Sequence, residues 1–323
     1  MKNVLITGIA GFVGANLSRR LLADGNYKVY GIDNFSTGDY DNVPKEVKMM
    51  WGSISNFDKI TDTVYFPDAY FNKGEAESID IIIHLAADSG VKPSVENPLK
   101  NAHENVMGTL NMLEFARRNR VDKFIFASSG GTILGAQEPP VHEDSPIKPI
   151  SPYGASKASC EHYCNAYNET FGLNTTIVRF SNVYGPYSLH KEKNLIPAFL
   201  LSCMYPDRYE FQLFGNGEQT RDFIYVDDLV DALCKIIEND DKYSGETFQI
   251  ATGEENPINY IIDRMNIYMN NKFGIWKEIN PGPKQLGDVE KNYALINKAK
   301  KYLDWQPKYS VEEGIEKLFD FYL

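Results

Sequence analysis

The sequence predicts a doubly wound α/β fold: a parallel sheet covered by helices on both faces (the Rossmann arrangement), joined to a smaller, discontinuous α/β substrate-binding region. Three observations carry this expectation. Strand-like and helix-like segments alternate from Val4 to Phe180, and such alternation implies parallel strands joined by crossover helices. Runs such as Ile79 to Leu85 are almost wholly apolar, as strands buried on both faces must be. A glycine-rich turn, Gly8-Ile9-Ala10-Gly11-Phe12-Val13-Gly14, links the first strand to the first helix.

Val4 to Thr7 reads as the first strand, and Val13, Leu17, Leu21 and Leu22 mark the apolar side of the helix after the turn. Lys28 to Asp33 is the second strand and Ile79 to Leu85 the third. Asn105 to Asn119 reads as a helix, Lys123 to Ser128 as a strand, Tyr153 to about Phe171 as a helix, and Thr175 to Phe180 as a strand. Beyond Arg179, residues Pro186, Pro197, Pro206, Gly215 and Gly217 break the chain into short pieces. Phe223 to Glu238 gives a strand and a helix, and Thr247 to Ala251 a strand that returns to the sheet. From Thr252 the chain reads as irregular, rich in Asn and Pro. Residues 1–178 and 222–251 are therefore expected to bind a dinucleotide, and 179–221 with 252–323 to bind substrate.

The chain has 323 residues, 43% hydrophobic and 24% charged, with a net charge of -11. This is the profile of a soluble globular protein. Without a basic run it is poorly suited to nucleic acid or to an anionic membrane surface. No apolar run is long enough to span a bilayer. The four cysteines form no CxxC pair and the five histidines are scattered, so no metal site is expected and a cytoplasmic location is.

Gly8, Gly11 and Gly14 permit a tight turn and close approach of backbone to a pyrophosphate resting on a helix N-terminus. Asp33 ends the second strand, 19 residues after Gly14. A carboxylate there accepts from a ribose diol and repels a 2′-phosphate, which favours NAD over NADP. Tyr153 and Lys157 lie four apart in Ser151-Pro152-Tyr153-Gly154-Ala155-Ser156-Lys157 and so share a helical face. An ammonium beside a phenol favours the phenolate, and the pair becomes a general base able to take a proton from an alcohol.

Taken in order, these parts resemble the extended short-chain dehydrogenases/reductases of the nucleotide-sugar epimerase/dehydratase group, most of all the UDP-glucose 4-epimerase branch. Further marks are Asp33-Asn34-Phe35-Ser36-Thr37-Gly38, His84-Leu85-Ala86-Ala87, Asn105-Val106-Met107-Gly108-Thr109, Arg179-Phe180-Ser181-Asn182-Val183-Tyr184-Gly185-Pro186, Arg221-Asp222-Phe223-Ile224-Tyr225-Val226-Asp227-Asp228 and Leu303-Asp304-Trp305. The resemblance implies an NAD-dependent isomerase that epimerises C4 of a nucleotide-diphosphate sugar through a 4-keto intermediate, and a homodimer formed through the Tyr153 and Asn105 helices. It assigns NAD contacts to Gly8, Gly11, Phe12, Val13, Gly14, Asp33, Asn34, Ser36, Thr37, Gly38, Ser53, Ile54, Leu85, Ala86, Ala87, Asn105, Ser128, Tyr153 and Lys157. It assigns substrate contacts to Lys92, Ser94, Asn182, Asn194, Leu195, Phe214, Arg221, Lys284, Gln285, Asp288 and Asn292. A surface salt bridge with Asp222 is the plainer reading of Arg221.

The chain departs from the family pattern at several points. Gly130 stands where the family carries a serine or threonine, and Leu134 where it carries a tyrosine. Thr132 or Ser129 is expected to supply the missing hydroxyl. Gln285 replaces a diphosphate-binding arginine, with Lys284 adjacent, and Ser53 replaces an acid near the adenine. Asn292 stands where glucose-restricted epimerases carry a bulky tyrosine, which leaves room for an N-acetyl group. Gly131 and Thr132 replace the Asp-Glu pair of the 4,6-dehydratases. A dehydrogenase or reductase releasing its keto product, and a non-catalytic NAD-binding module, are the remaining alternatives.

Overall fold

The computed structural model describes residues 1–56, 78–239, 241–284 and 287–323. Gln285 lies outside these residues. The strands, in chain order, are β1 Lys2–Thr7, β2 Tyr27–Asp33, β3 Lys48–Trp51, β4 Ile81–His84, β5 Lys123–Ser129, β6 Thr175–Phe180, β7 Asn182–Tyr184, β8 Thr220–Arg221, β9 Phe223–Tyr225, β10 Thr247–Ile250 and β11 Asn256–Pro257. The helices are α1 Phe12–Asp24, α2 Val91–Glu96, α3 Pro98–Ala102, α4 Gly108–Arg118, α5 Pro152–Phe171, α6 Leu195–Met204, α7 Val226–Glu238, α8 Ile258–Phe273, α9 Asn297–Leu303 and α10 Val311–Tyr322.

Seven parallel strands form one sheet in the order β10-β6-β5-β4-β1-β2-β3. The expected doubly wound sheet is therefore present. Strand β3 was not anticipated: Lys48-Met49-Met50-Trp51 is short and partly exposed, an edge strand with little apolar signal. Alternate side chains of the buried strands serve opposite faces. Val4 and Ile6 of β1 pack with Leu17 and Leu21 of α1 and Leu229 and Leu233 of α7. Leu5 packs on the other face with Met112 and Phe115 of α4 and Cys160 and Cys164 of α5. Strand order reverses between β1 and β4. Such a switch point opens a crevice at the carboxyl ends of the strands.

A third core, built on Phe199, Leu200, Ile261, Met265, Leu318 and Phe319, joins α6, α8 and α10. The reading of irregular chain beyond Thr252 is corrected here. Ile258, Ile261, Ile262, Met265 and Met269 form the buried stripe of the 16-residue α8, a spacing that marks an amphipathic helix. The helix expected from Asn105 also starts earlier. The chain is helical from Pro98 and passes through a π-helical turn at His103–Met107 before α4. On the face that α5 covers, Arg179 of β6 forms a two-pronged pair with Glu161 of α5, at 2.9 Å and 2.7 Å. That pair fixes α5 against the strand ends.

Candidate active site

The glycine-rich turn is packed too closely against its neighbours to admit side chains. Gly8 has φ +71°, and a Cβ there would lie 2.8 Å from the Ala86 Cα, a backbone state and a gap that favour glycine. A Cβ on Gly14 would lie 2.5 Å from the Gly8 carbonyl oxygen, and one on Gly38 2.8 Å from Ala10. Phe12 is buried and Val13 packs beside it, so α1 starts with its N-terminus facing the crevice. Asp33 closes one side. Its Oδ2 accepts from Ala10 N–H at 2.9 Å and its Oδ1 from Phe35 N–H at 2.8 Å. Burial raises the Asp33 pKa and those amide bonds oppose the rise. Each oxygen retains a lone pair for a ribose diol. Asn34 holds the next turn by accepting from Ser36 N–H at 3.0 Å, and Ser36 and Thr37 are exposed at its rim.

On the other side, Leu85 N–H donates to the Thr7 carbonyl and Ala86 N–H to Thr7 Oγ1. This lays the Leu85-Ala86-Ala87 backbone along the turn. Beyond it lie Ser53 and Ile54, which the sequence assigns to the cofactor. Ile54 is buried and its carbonyl accepts from Asn111 at 2.8 Å. Ser53 Oγ donates to Glu104 at 3.1 Å. Glu104, from the π-helical turn, thus brings an acid to Ser53, a contact that sequence reading missed.

Asn105 does not present its amide to the crevice. Its Oδ1 accepts from Asp88 N–H at 2.8 Å and its Nδ2 donates to Ser156 Oγ at 2.9 Å. It joins the chain after β4 to α5 and positions both. Ser94 acts similarly, accepting from Tyr153 N–H at 3.1 Å and donating to the Val91 carbonyl at 2.6 Å. Ser128 Oγ is buried with no partner.

Ser151 caps α5 by accepting from Gly154 N–H at 3.1 Å, which fixes the first helical turn. Tyr153 and Lys157 stand on that and the following turn. Burial drives the phenol well above its ordinary value rather than below it. The lysine ammonium donates instead to the Ala127 carbonyl at 2.8 Å and lies 4.8 Å from the centre of the Phe126 ring. Burial also lowers the Lys157 pKa.

The turn after β5 explains the missing hydroxyl. A Cβ on Gly130 would lie 2.8 Å from Gln249 Oε1. Gln249 is fully buried, and both of its side-chain polar atoms lack partners. Its carboxamide takes the space a serine at 130 would need. Two residues on, Thr132 Oγ1 donates to Ser129 Oγ at 2.8 Å. A Cβ on Gly154 would lie 2.2 Å from the Thr132 carbonyl oxygen, so the turn sits directly on the start of α5. Asn292 reaches the same turn, since a Cβ on Gly131 would clash with its Nδ2.

The remaining substrate candidates divide. Lys92 and Phe214 meet, ammonium over ring at 5.8 Å. Asn194 opens α6 without using its side chain as a cap, and Leu195 follows it. Asn182 is exposed at the start of β7 and its Nδ2 donates to the Asp222 carbonyl. Arg221 is nearly buried and pairs with Asp288 at 2.6 Å. Its expected alternative partner, Asp222, instead accepts from Ser181, Thr252 and Gly253. Lys284 pairs with Glu290 at 2.5 Å, with both side chains exposed. The turn after β4 also receives a side chain from outside it that the motifs do not single out: Lys191, between β7 and α6, whose Nζ donates to Ser89 Oγ at 2.9 Å.

Comparison with known proteins agrees with this geometry. Residues 4–251 match the model of the NAD-dependent epimerase/dehydratase family. UDP-glucose 4-epimerase of Mycolicibacterium smegmatis is 34% identical over 325 residues, covering 98% of this chain and 97% of that protein. The crystal structure of UDP-glucose 4-epimerase from Thermotoga maritima with UDP-glucose superposes with a TM-score of 0.88 at 32% identity, covering 99% and 98% of the two chains. UDP-glucuronic acid 4-epimerase from Bacillus cereus, solved with UDP-glucuronic acid and NAD, gives a TM-score of 0.84 at 28% identity, covering 99% and 98%.

Proposed function

The chain belongs to the NAD-dependent epimerase/dehydratase family, and from that premise we propose that it interconverts C4 epimers of a UDP-sugar, with Tyr153 as the base. It is an isomerase, and NAD is its cofactor. The observation that carries the reading of the site is the Thr132–Ser129 hydroxyl pair seated on the start of the Tyr153 helix. The turn fits the cofactor: Gly8, Gly14 and Gly38 pack so closely on Ala86, Gly8 and Ala10 that no side chain is accommodated, and Asp33 keeps a lone pair on each oxygen for a ribose diol.

NAD, when bound, would supply the acceptor and donor of the C4 hydride. Tyr153 would take the proton of the C4 hydroxyl and return it to the C4 oxygen once the 4-keto sugar has turned over. No net oxidation results. Burial raises the phenol's pKa without cofactor, and a cationic group brought beside it would favour the phenolate. Thr132 orients Ser129, whose own proton is then free to bond the C4 oxygen. Lys157 holds the strand end and would hold the nicotinamide ribose. Arg221 exchanges Asp288 for the diphosphate, a bidentate ligand suited to its planar donors.

Residues 1–178 and 222–251 carry the cofactor, and 179–221 with 252–323 the substrate. Asn292, small and set against Gly131, leaves room for an N-acetyl group at C2. The active form is a cytoplasmic homodimer. Among the described residues no helix is long and apolar enough to cross a membrane. Proton NMR of UDP-glucose, UDP-galactose and UDP-N-acetylglucosamine incubated with the protein tests the proposal. C4 epimers should accumulate to equilibrium. A persistent 4-keto or dehydrated sugar, or no change in any of them, would refute it.

A further inference from the structure

We propose that Lys191 is a cofactor ligand, an ammonium delivered from the substrate-binding half of the chain onto the diphosphate of the dinucleotide held over the glycine-rich turn. The proposal rests on the assignment of that turn to NAD. Lys191 lies between β7 and α6, and its backbone is fixed at both groups: its N–H donates to the Ser188 carbonyl and its carbonyl accepts from Asn194 N–H, each at 2.8 Å. The same segment is seated on α1. Asn16 donates to the Pro186 carbonyl at 3.0 Å, and the Arg19 guanidinium covers the Tyr187 ring at 4.0 Å.

The side chain then turns into the crevice. Nζ donates to Ser89 Oγ at 2.9 Å. The two carboxylates whose fields act on it are Asp33 and Asp88. Asp33 ends β2 and Ser89 follows β4, with β1 and its glycine-rich turn running between those strands. An ammonium held by Ser89 and felt by Asp33 therefore stands at the mouth of the turn. Burial lowers its pKa and the two carboxylates oppose that.

A dinucleotide diphosphate brings two negative charges into this place. The first turn of α1, Phe12-Val13-Gly14-Ala15, contains no basic residue, so the turn itself offers only backbone N–H groups and the helix dipole. Asp33 and Asp88 add negative field, in a chain of net charge -11. Lys191 supplies the countercharge. Because it comes from the other half of the molecule, holding the cofactor and closing the crevice become one event, which suits an enzyme whose NAD never needs to leave.

The test compares wild-type protein with Lys191→Met and Lys191→Arg. Bound NAD is measured after acid release, and dissociation constants for NAD and ADP-ribose are measured by calorimetry on protein stripped of cofactor. A charge-assisted bond of this kind predicts a loss of about 10- to 100-fold for Lys191→Met with both ligands, and recovery to within a few-fold for Lys191→Arg. The loss should shrink as salt rises. If Lys191→Met fails to fold, Lys191→Gln should show the same loss, since it keeps a donor for Ser89 without the charge. Unchanged affinity in a folded Lys191→Met or Lys191→Gln protein would overturn the proposal and leave Lys191 as a tie to Ser89. Wild-type protein that neither carries nor binds NAD would sink the cofactor assignment and the proposal together.

Discussion

Thr132 Oγ1 donates to Ser129 Oγ at 2.8 Å, on a turn whose Thr132 carbonyl lies where a side chain on Gly154 would need to be. Two hydroxyls are thereby organised in series beside the start of the Tyr153 helix. A side chain at position 130 would meet Gln249.

If the two hydroxyls act as a unit, their losses will not add. Thr132→Val should lower kcat about 10- to 100-fold, and so should Ser129→Ala. The double variant should be little worse than the worse single one, with NAD content unchanged in all three. Steady-state kinetics beside cofactor extraction checks this. Wild-type rates in both single variants would remove these residues from the reaction.

Gly130→Ser places an oxygen-bearing side chain against Gln249 Oε1. Overpacking of this kind typically costs about 1–3 kcal/mol, read as a lower urea midpoint. Gln249→Ala vacates the space and loses no hydrogen bond that the side chain makes. The double variant Gly130→Ser/Gln249→Ala should therefore recover stability relative to Gly130→Ser. It should also tolerate Thr132→Val better than wild type does, because a hydroxyl is again present at 130.

Asn292→Tyr should reduce kcat/KM for UDP-N-acetylglucosamine by about 10-fold or more, while UDP-glucose changes by less, since filling an apolar-sized space discriminates by about 1–3 kcal/mol. The ratio of the two kcat/KM values, taken on one preparation, is the readout. An unchanged ratio would separate Asn292 from sugar choice.

His84 should make the fold acid-sensitive. It is fully buried, bonded to Thr7 at 2.8 Å and Thr109 at 3.1 Å, and burial lowers its pKa to about 3. A pKa lower in the folded state means that, between the ordinary value and about 3, the unfolded chain binds the extra proton. Stability from this group is thus full above the ordinary histidine range and falls as pH drops through that window. Asp33 and Asp222, raised by burial, act in the opposite sense. The comparison that isolates His84 is therefore the change in urea midpoint from pH 7 to pH 4.5 in wild type against His84→Gln. Wild type should lose more.

Much of the cofactor side was legible because its requirements are local. Gly8 needs a positive φ, Gly14 needs space, and Asp33 must end the second strand. Tyr153 and Lys157 were visible as helix neighbours, but the sense of their coupling was not. Burial, which raises the phenol's pKa and lowers the ammonium's, and the Ala127 carbonyl, which takes the ammonium's hydrogen bond, are tertiary facts. The same holds for Glu104 at Ser53, Lys191 at Ser89 and Gln249 at Gly130, contacts between residues 51, 102 and more than 100 positions apart. Helix α8 was legible in principle. Its apolar stripe at Ile258, Ile261, Ile262, Met265 and Met269 is regular, and the surrounding Asn and Pro obscured it.

The most direct test of the central claim uses UDP-glucose deuterated at C4, incubated with purified protein in ordinary water with no added NAD. Hydride that leaves C4 and returns from a resident cofactor predicts UDP-galactose with the deuterium still at C4, and loss of all conversion in Tyr153→Phe. Product carrying solvent hydrogen at C4, or conversion that persists in Tyr153→Phe, would contradict it.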